Sequence, residues 1–212
     1  MIALVFGFPV FALGIAAIWS RSRRPKLAIV DLIDEAPKSK RHKRNPKTKV
    51  DAVVLHQMGF SRGNDPLRYA KVTAHFVVLA DGTVAQLHPL NARLSASDGF
   101  NSRSVSVEFA GNFQSINGKW WKPDAYGVDY PTSAQLEAGR ELLRMLRAIG
   151  ITHVFAHRQS SGSRGNDPGP EIWRAVGQWG IEQLGLVDGG PGYAINDGHP
   201  VPDEWRRPPA LS

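Results

Sequence analysis

Two histidines that each close an apolar run, and one aspartate set ahead of Pro-Gly-Pro, are the residues of this chain best suited to chemistry. Residues 157–170 read HRQSSGSRGNDPGP, so His157 ends an apolar stretch and Asp167 follows a Gly/Ser-rich loop. An imidazole and a carboxylate on one rim are metal-ligand chemistry: zinc accepts both, and a catalytic zinc uses three protein ligands with a fourth position open to water. His157 and Asp167 supply two ligands. His56, in VVLHQMG, is the best third, because it ends the run Val50, Ala52, Val53, Val54, Leu55 where a buried strand would surface. A lone strand-end histidine is more often structural than a ligand. Two of them together with DPGP favour the metal.

These residues need a scaffold that brings distant strand ends together. The globular body is expected to begin near Val50, with a first strand ending at His56. After a short helix around residues 67–71, the segments 72–79 and 83–87 read as a hairpin closed by Asp81-Gly82. In SVSVEF, Val105, Val107 and Phe109 alternate with Ser104, Ser106 and Glu108, which puts Glu108 on the polar face of a strand. Residues 119–130 (KWWKPDAYGVDY) form an aromatic loop, suited to stacking on a sugar but read here as capping the core. The main packing helix starts at Thr132, with Gln135 at capping-box spacing, buries Leu136, Leu142, Leu143, Leu146 and Ile149, and stops at Gly150. A strand over 151–156 then delivers His157, and Pro170 opens a helix running to about Gly185. The hexapeptide SRGNDP occurs at 61–66 and again at 163–168, too short a repeat to signal duplicated domains.

The remainder divides by composition. Residues 1–20 carry no charged side chain and are expected to form an apolar signal-anchor or transmembrane segment, since such a run approaches the ~30 Å bilayer core at ~1.5 Å per residue. Residues 21–49 hold eleven Lys or Arg against three acids, which exceeds the whole chain's net charge of +7. Broken by Pro25, Pro37 and Pro46, they read as a flexible basic tether, either solvated or adhering to an anionic surface. Nucleic acid is not expected there, because no aromatic residue interleaves the charges. Residues 50–185 are expected to form the folded body that carries these residues, and 186–212 an irregular Gly/Pro-rich tail. The chain has no cysteine, hence neither disulfide nor thiolate ligand.

The motifs VVLHQMG, TAHFVVLADGTV, SVSVEFAG and HR(x8)DPGP, taken in this order, resemble the zinc-dependent N-acetylmuramoyl-L-alanine amidases of the amidase-2 type. These are related to phage lysozyme-type amidases and to peptidoglycan recognition proteins, and the resemblance covers about residues 50–184. It implies an α/β fold with a mixed central sheet flanked by helices, and it makes His56, His157 and Asp167 the zinc ligands. Some relatives place a catalytic tyrosine just before the histidine of the hairpin's first strand, where this chain has Ala74. The muropeptide-recycling branch lacks that tyrosine and uses a glutamate in the motif matched by Glu108. A lysine usually stands two residues before the aspartate ligand, and here that position is Gly165; Arg164, one position further, is the candidate replacement.

The resemblance therefore implies a zinc hydrolase acting on peptidoglycan or muropeptides as a monomer. Zinc would polarise the amide carbonyl and activate water, Glu108 would move the proton, and Arg164 would face the developing oxyanion. A peptidoglycan-binding module of the same fold without turnover is the alternative that Gly165 motivates. A zinc nuclease is a third class, suggested only by histidine chemistry and the basic tether. The expected location is at a membrane, on either the envelope or the cytoplasmic side.

Overall fold

The computed structural model describes residues 27–45, 48–114 and 121–207 of the 212-residue chain. In chain order its strands are β1 (Ile29–Asp31), β2 (Ala52–Gln57), β3 (Gly59–Phe60), β4 (Phe76–Val78), β5 (Val84–Gln86), β6 (Ser104–Phe109), β7 (Gly111–Asn112) and β8 (His153–Ala156). The helices are α1 (Pro123–Tyr126), α2 (Ser133–Ala148), α3 (Pro170–Ile172), α4 (Trp179–Leu184) and α5 (Asp203–Arg206), with a π-helical stretch, Trp173–Gln178, joining α3 to α4. Six strands make one mixed sheet in the order β1-β5-β4-β6-β2-β8, and β3 pairs with β7 separately. Within it β4, β6, β2 and β8 are mutually parallel, while β5 runs antiparallel to β4. Parallel neighbours surface at the same edge, so the ends of β2, β6 and β8 share one rim.

Both faces of this sheet are covered, which is why β2 reads as a continuous apolar run instead of an alternation. On one face Val53, Leu55, Val105, Val107 and Phe109 meet Leu142, Leu143 and Leu146 of α2 together with Trp173 and Val176. A Cβ on Gly139 would stand 2.8 Å from the Phe109 ring, so this glycine lets helix and sheet close up. Loops cover the other face: Tyr69, Leu32 and Ala36 lie over Val77, Leu79 and Leu87, and Phe100 over Ala52, Val54 and Phe155.

Local chemistry explains the element ends. Asp81 Oδ1 accepts from Thr83 N at 2.9 Å and Gly82 adopts φ 88°, closing the β4–β5 hairpin. The first strand of that hairpin is shorter than expected, because residues 70–75 form turns. Thr132 Oγ1 accepts from Gln135 N at 3.0 Å as the N-cap of α2. The Gln135 side chain completes no capping box. It donates to Val78 O (2.8 Å) and Ala110 O (3.0 Å), pinning the helix start to the sheet. Gly150 (φ 104°) ends the helix, and Ile149, expected in the core, is exposed. The second helix does begin at Pro170 and stop at left-handed Gly185.

Residues 27–45 correct the expectation of a flexible tether over 21–49. β1 pairs in parallel with β5, and Leu32 and Ala36 are buried against the body. The basic side chains serve as internal fasteners. Arg44 donates to Ser102 O (2.7 Å) and Ser104 O (2.8 Å), Lys40 to Thr73 Oγ1 (2.8 Å), and Arg41 Nε to His88 Nδ1 (3.0 Å). Three residues of strand between charges are too few to register as a periodic signal, so local composition masked them. The body accordingly begins before Val50.

Across 186–207 the chain has little regular structure apart from α5, but it is packed. Leu186, Val201 and Trp205 are buried, Arg206 pairs with Asp188 at 2.6 Å, and the Arg158 guanidinium lies 4.8 Å from the Trp205 ring. The apolar segment expected over residues 1–20 lies outside the described residues. Among those described, no helix is long and apolar enough to cross a membrane.

Candidate metal centre

His56 is the fifth residue of β2 and lies opposite Glu108 of β6 in register. β8 ends at Ala156, and the next residue is His157. The histidines therefore emerge on the same rim from neighbouring parallel strands. Asp167 reaches them from the 158–169 loop, held there by backbone bonds from Arg158 N to Asp167 O and from Asp167 N to Arg164 O, each 3.0 Å. Its Oδ1 accepts from Gln57 N at 2.9 Å, which turns Oδ2 toward the histidines.

The three inward atoms are His56 Nδ1, His157 Nδ1 and Asp167 Oδ2. Their separations are 2.9 Å between the nitrogens, 3.0 Å from His157 to Asp167 and 3.9 Å from His56 to Asp167. A tetrahedral zinc with bonds of ~2.0–2.2 Å spaces its ligands ~3.3–3.6 Å apart, so the observed triangle brackets that value. Two imidazole nitrogens 2.9 Å apart are held either by a hydrogen carried on one of them or by a metal ion between them. All three residues are buried, and among the described residues this is the one cluster of His, Cys or acidic groups able to hold an ion. The cluster fits a zinc site.

Electrostatics mark the same spot. Burial, then the charge of His157, pull His56 down to about 3, so it is neutral and ready to ligate. Burial also disfavours charge on His157, but hydrogen bonds to Asp167 and Asp98 outweigh it and push the group up to about 9. Burial opposes ionisation of Asp167, and its bond to His157 more than compensates, holding the carboxyl below its usual range. Glu108 goes the other way: burial, then the Asp167 charge, raise it to about 8. On a polar-facing strand position beside a cationic metal, Glu108 is expected to be ionised. Without the metal its enclosed position works against ionisation, and a bound dication would act in the opposite direction. Its Oε2 is buried and has no hydrogen-bond partner among the described residues, which leaves it an acceptor for a water or a substrate amine.

Arg164 is exposed at the end of a 3-10 turn, Gly162–Arg164, and among the described residues no side-chain hydrogen bond ties it down. Its charge nevertheless reaches the rim, where it favours ionisation of Glu108 and Asp98 and disfavours a proton on either ligand histidine. Two other histidines stand apart. His75 Nδ1 accepts from Ser106 N (3.0 Å) and Nε2 pairs with Ala92 O (2.9 Å), a saturated core histidine. His153 opens β8 at the far end of the strand, beside Asp51 and Arg103. In the described part of the aromatic loop, Tyr126 and Tyr130 are both 72% exposed, while Trp121 is half-buried against Gly59. Tyr130 lines a depression with Gln57, Phe113 and Asn166, next in sequence to the ligands His56 and Asp167.

Sequence reasoning missed Ser97 and Asp98. His56 Nε2 lies 3.1 Å from Ser97 Oγ, and His157 Nε2 lies 3.0 Å from Asp98 Oδ2. Both sit in a turn-rich loop that offers no periodic pattern, and only the dipeptide's polarity hinted at a role.

Fold and site together define an α/β domain whose mixed sheet presents a two-histidine, one-aspartate cluster where parallel strands end. The chain belongs to the N-acetylmuramoyl-L-alanine amidase family, Amidase_2, whose model matches residues 46–170. It is 26% identical over 119 residues to peptidoglycan-recognition protein SC2 of Drosophila simulans and Drosophila melanogaster, covering 54% of this chain and 56% of those relatives. The chain thus spans little more than half the length of the curated relatives it matches. The fold is that of the N-acetylmuramoyl-L-alanine amidase LysC from Clostridium intestinale, with a TM-score of 0.52 at 19% identity over 74% of this chain and 97% of that one. It is equally that of Drosophila peptidoglycan recognition protein PGRP-SA, with a TM-score of 0.54 at 15% identity over 80% and 99%.

Proposed function

We propose that this chain hydrolyses the amide bond between N-acetylmuramic acid and L-alanine in peptidoglycan or soluble muropeptides. The observation that carries the reading is the meeting of three ligand atoms on one rim beside a carboxylate oxygen that is buried and has no partner among the described residues. His56, His157 and Asp167 would hold a zinc ion, which when bound would supply Lewis acidity toward the amide carbonyl and bring the pKa of an attacking water down toward ~7. Glu108 takes the proton of that water and returns it to the alanine nitrogen, so that a C–O bond forms, the C–N bond breaks and the amine leaves neutral. Amidase family membership supports the choice of bond.

In this reading Arg164 supplies the positive charge that faces the oxyanion, taking the role of a lysine at Gly165. Arg164→Ala is then expected to lower kcat by ~100-fold or more, the scale of one oxyanion donor, with zinc content unchanged. A rate within a fewfold of the parent would remove Arg164 from the mechanism. The exposed Tyr130 beside the depression offers a stacking surface for a sugar or stem peptide.

A second reading, a module that binds peptidoglycan without cutting it, is favoured by Gly165 and by the recognition proteins among the relatives. Mass spectrometry of sacculi and soluble muropeptides after incubation with the zinc-loaded protein separates the two. Release of a free stem peptide with an L-alanine amino terminus supports hydrolysis; binding with every lactyl-amide intact supports the module.

Residues 1–20 are proposed to anchor the domain to a membrane. Vesicle flotation of the full chain against a chain beginning at Lys26 tests this, since the packing of β1 puts the boundary there and not at Lys49. The full chain should float and the shortened one should not; equal recovery would dismiss the anchor.

A further inference from the structure

One dipeptide touches both candidate metal histidines. Ser97 Oγ meets Nε2 of His56 at 3.1 Å, and Asp98 Oδ2 meets Nε2 of His157 at 3.0 Å, while both Nδ1 atoms face inward 2.9 Å apart. Neither residue belongs to the strands that deliver the histidines. They lie in the loop between β5 and β6, which is fixed by contacts of its own. Asn101 Oδ1 accepts from Ala96 N (2.9 Å) and Ser97 N (2.6 Å). The Phe100 ring stacks on Phe155 of β8, 4.3 Å between centroids and 4° from parallel. Ser160 Oγ, three residues past His157, donates to Ser97 O at 3.1 Å. The loop is thereby locked to the strand that carries His157.

The backbone adds a second sign. Asp98 adopts φ 45°, in the left-handed region that non-glycine residues seldom enter. Asp and Asn tolerate it best, and here it turns the carboxylate onto the outer nitrogen of His157. Its side chain is 54% exposed, so burial of this residue does not account for the conformation.

We propose that Ser97 and Asp98 are positioning residues for a divalent cation, holding both histidines as Nε2–H tautomers so that both Nδ1 lone pairs face a single ion. Asp98, as a carboxylate, also increases the donor strength of His157, in the way that outer carboxylates support ligand histidines. Ser97 is neutral and fixes the ring of His56 by orientation alone. This rests on the metal-centre reading of His56, His157 and Asp167. If the dipeptide merely closed a loop, its loss would change stability and leave metal affinity alone.

The backbone angle chooses the variants. Asn and Gly accept a positive φ, so Asp98→Asn keeps shape without charge, and Asp98→Gly removes the side chain without backbone strain. Zinc affinity of the full-length protein, measured by competition with a chromophoric chelator, is expected to fall ~10 to 100-fold in Asp98→Gly. The loss should be smaller in Asp98→Asn and Ser97→Ala. The zinc-free thermal midpoints should stay at that of the parent, and the visible spectrum of the cobalt-loaded Asp98→Gly protein should shift. Parental affinity in all three variants, with zinc lost in His56→Ala, overturns the proposal and leaves the metal centre standing. Parental affinity in His56→Ala as well overturns both. Affinity losses that only track a falling midpoint overturn the positioning role in favour of a structural one.

Discussion

His56→Ala is expected to abolish stoichiometric zinc binding while the domain stays folded. His56 is 1% exposed and contributes one corner of the ligand triangle. Its loss leaves a two-ligand site, so affinity should fall by more than the ~10 to 100-fold typical of removing an outer-shell partner. Removing a buried imidazole also leaves a cavity and frees Ser97 Oγ, which costs about 2–3 kcal/mol by analogy with other large-to-small buried changes. The rim ends of β2 and β6 stay in register through neighbouring pairs such as Leu55 with Val107, so circular dichroism should match the parent. Atomic absorption after exhaustive dialysis is the readout. A variant that keeps one zinc per chain would mean that the ion, if bound, sits elsewhere.

Glu108→Gln should separate proton transfer from metal binding. Gln keeps the shape and the hydrogen bonding but lacks a basic oxygen, so zinc occupancy should persist while turnover falls ~100-fold or more. Loss of zinc with turnover per bound ion preserved would make Glu108 a ligand-orienting group instead. Stability provides an independent check in the metal-free protein. Glu108 is raised from an ordinary 4.5 to about 8 by burial and then by Asp167. The folded state therefore binds a proton that the unfolded chain releases above about 4.5, and the associated stability is fully present below that pH and is lost as pH rises through about 8. Relative to the parent, metal-free Glu108→Gln should gain stability across that window. A difference that does not change with pH would show that Glu108 is not enclosed as described.

What could be read from the sequence follows from which interactions are local. His56 and His157 were legible because each closes an apolar run, and such runs in parallel neighbours surface on one rim. Glu108 was legible from the alternation in SVSVEF. The SRGNDP hexapeptide shows the limit of this kind of reading. At 61–66 its aspartate, Asp65, caps a 3-10 turn by accepting from Leu67 N at 3.0 Å. At 163–168 the same letters present Asp167 to His157. Only the flanking elements distinguish the two copies. Ser97 and Asp98 were not legible, because their placement depends on Phe100 stacking against Phe155 from a distant strand. β1 was missed for a related reason: its pairing with β5 is non-local, and the charges around it dominated the composition.

The central claim is that one ion joins His56, His157 and Asp167, and anomalous diffraction at the zinc edge from crystals of the zinc-loaded protein tests it most directly. The account predicts a single strong peak ~2.0–2.2 Å from His56 Nδ1, His157 Nδ1 and Asp167 Oδ2, with Glu108 near the ion but not ligated to it. A peak held by other residues, or no peak at full zinc loading, would contradict it.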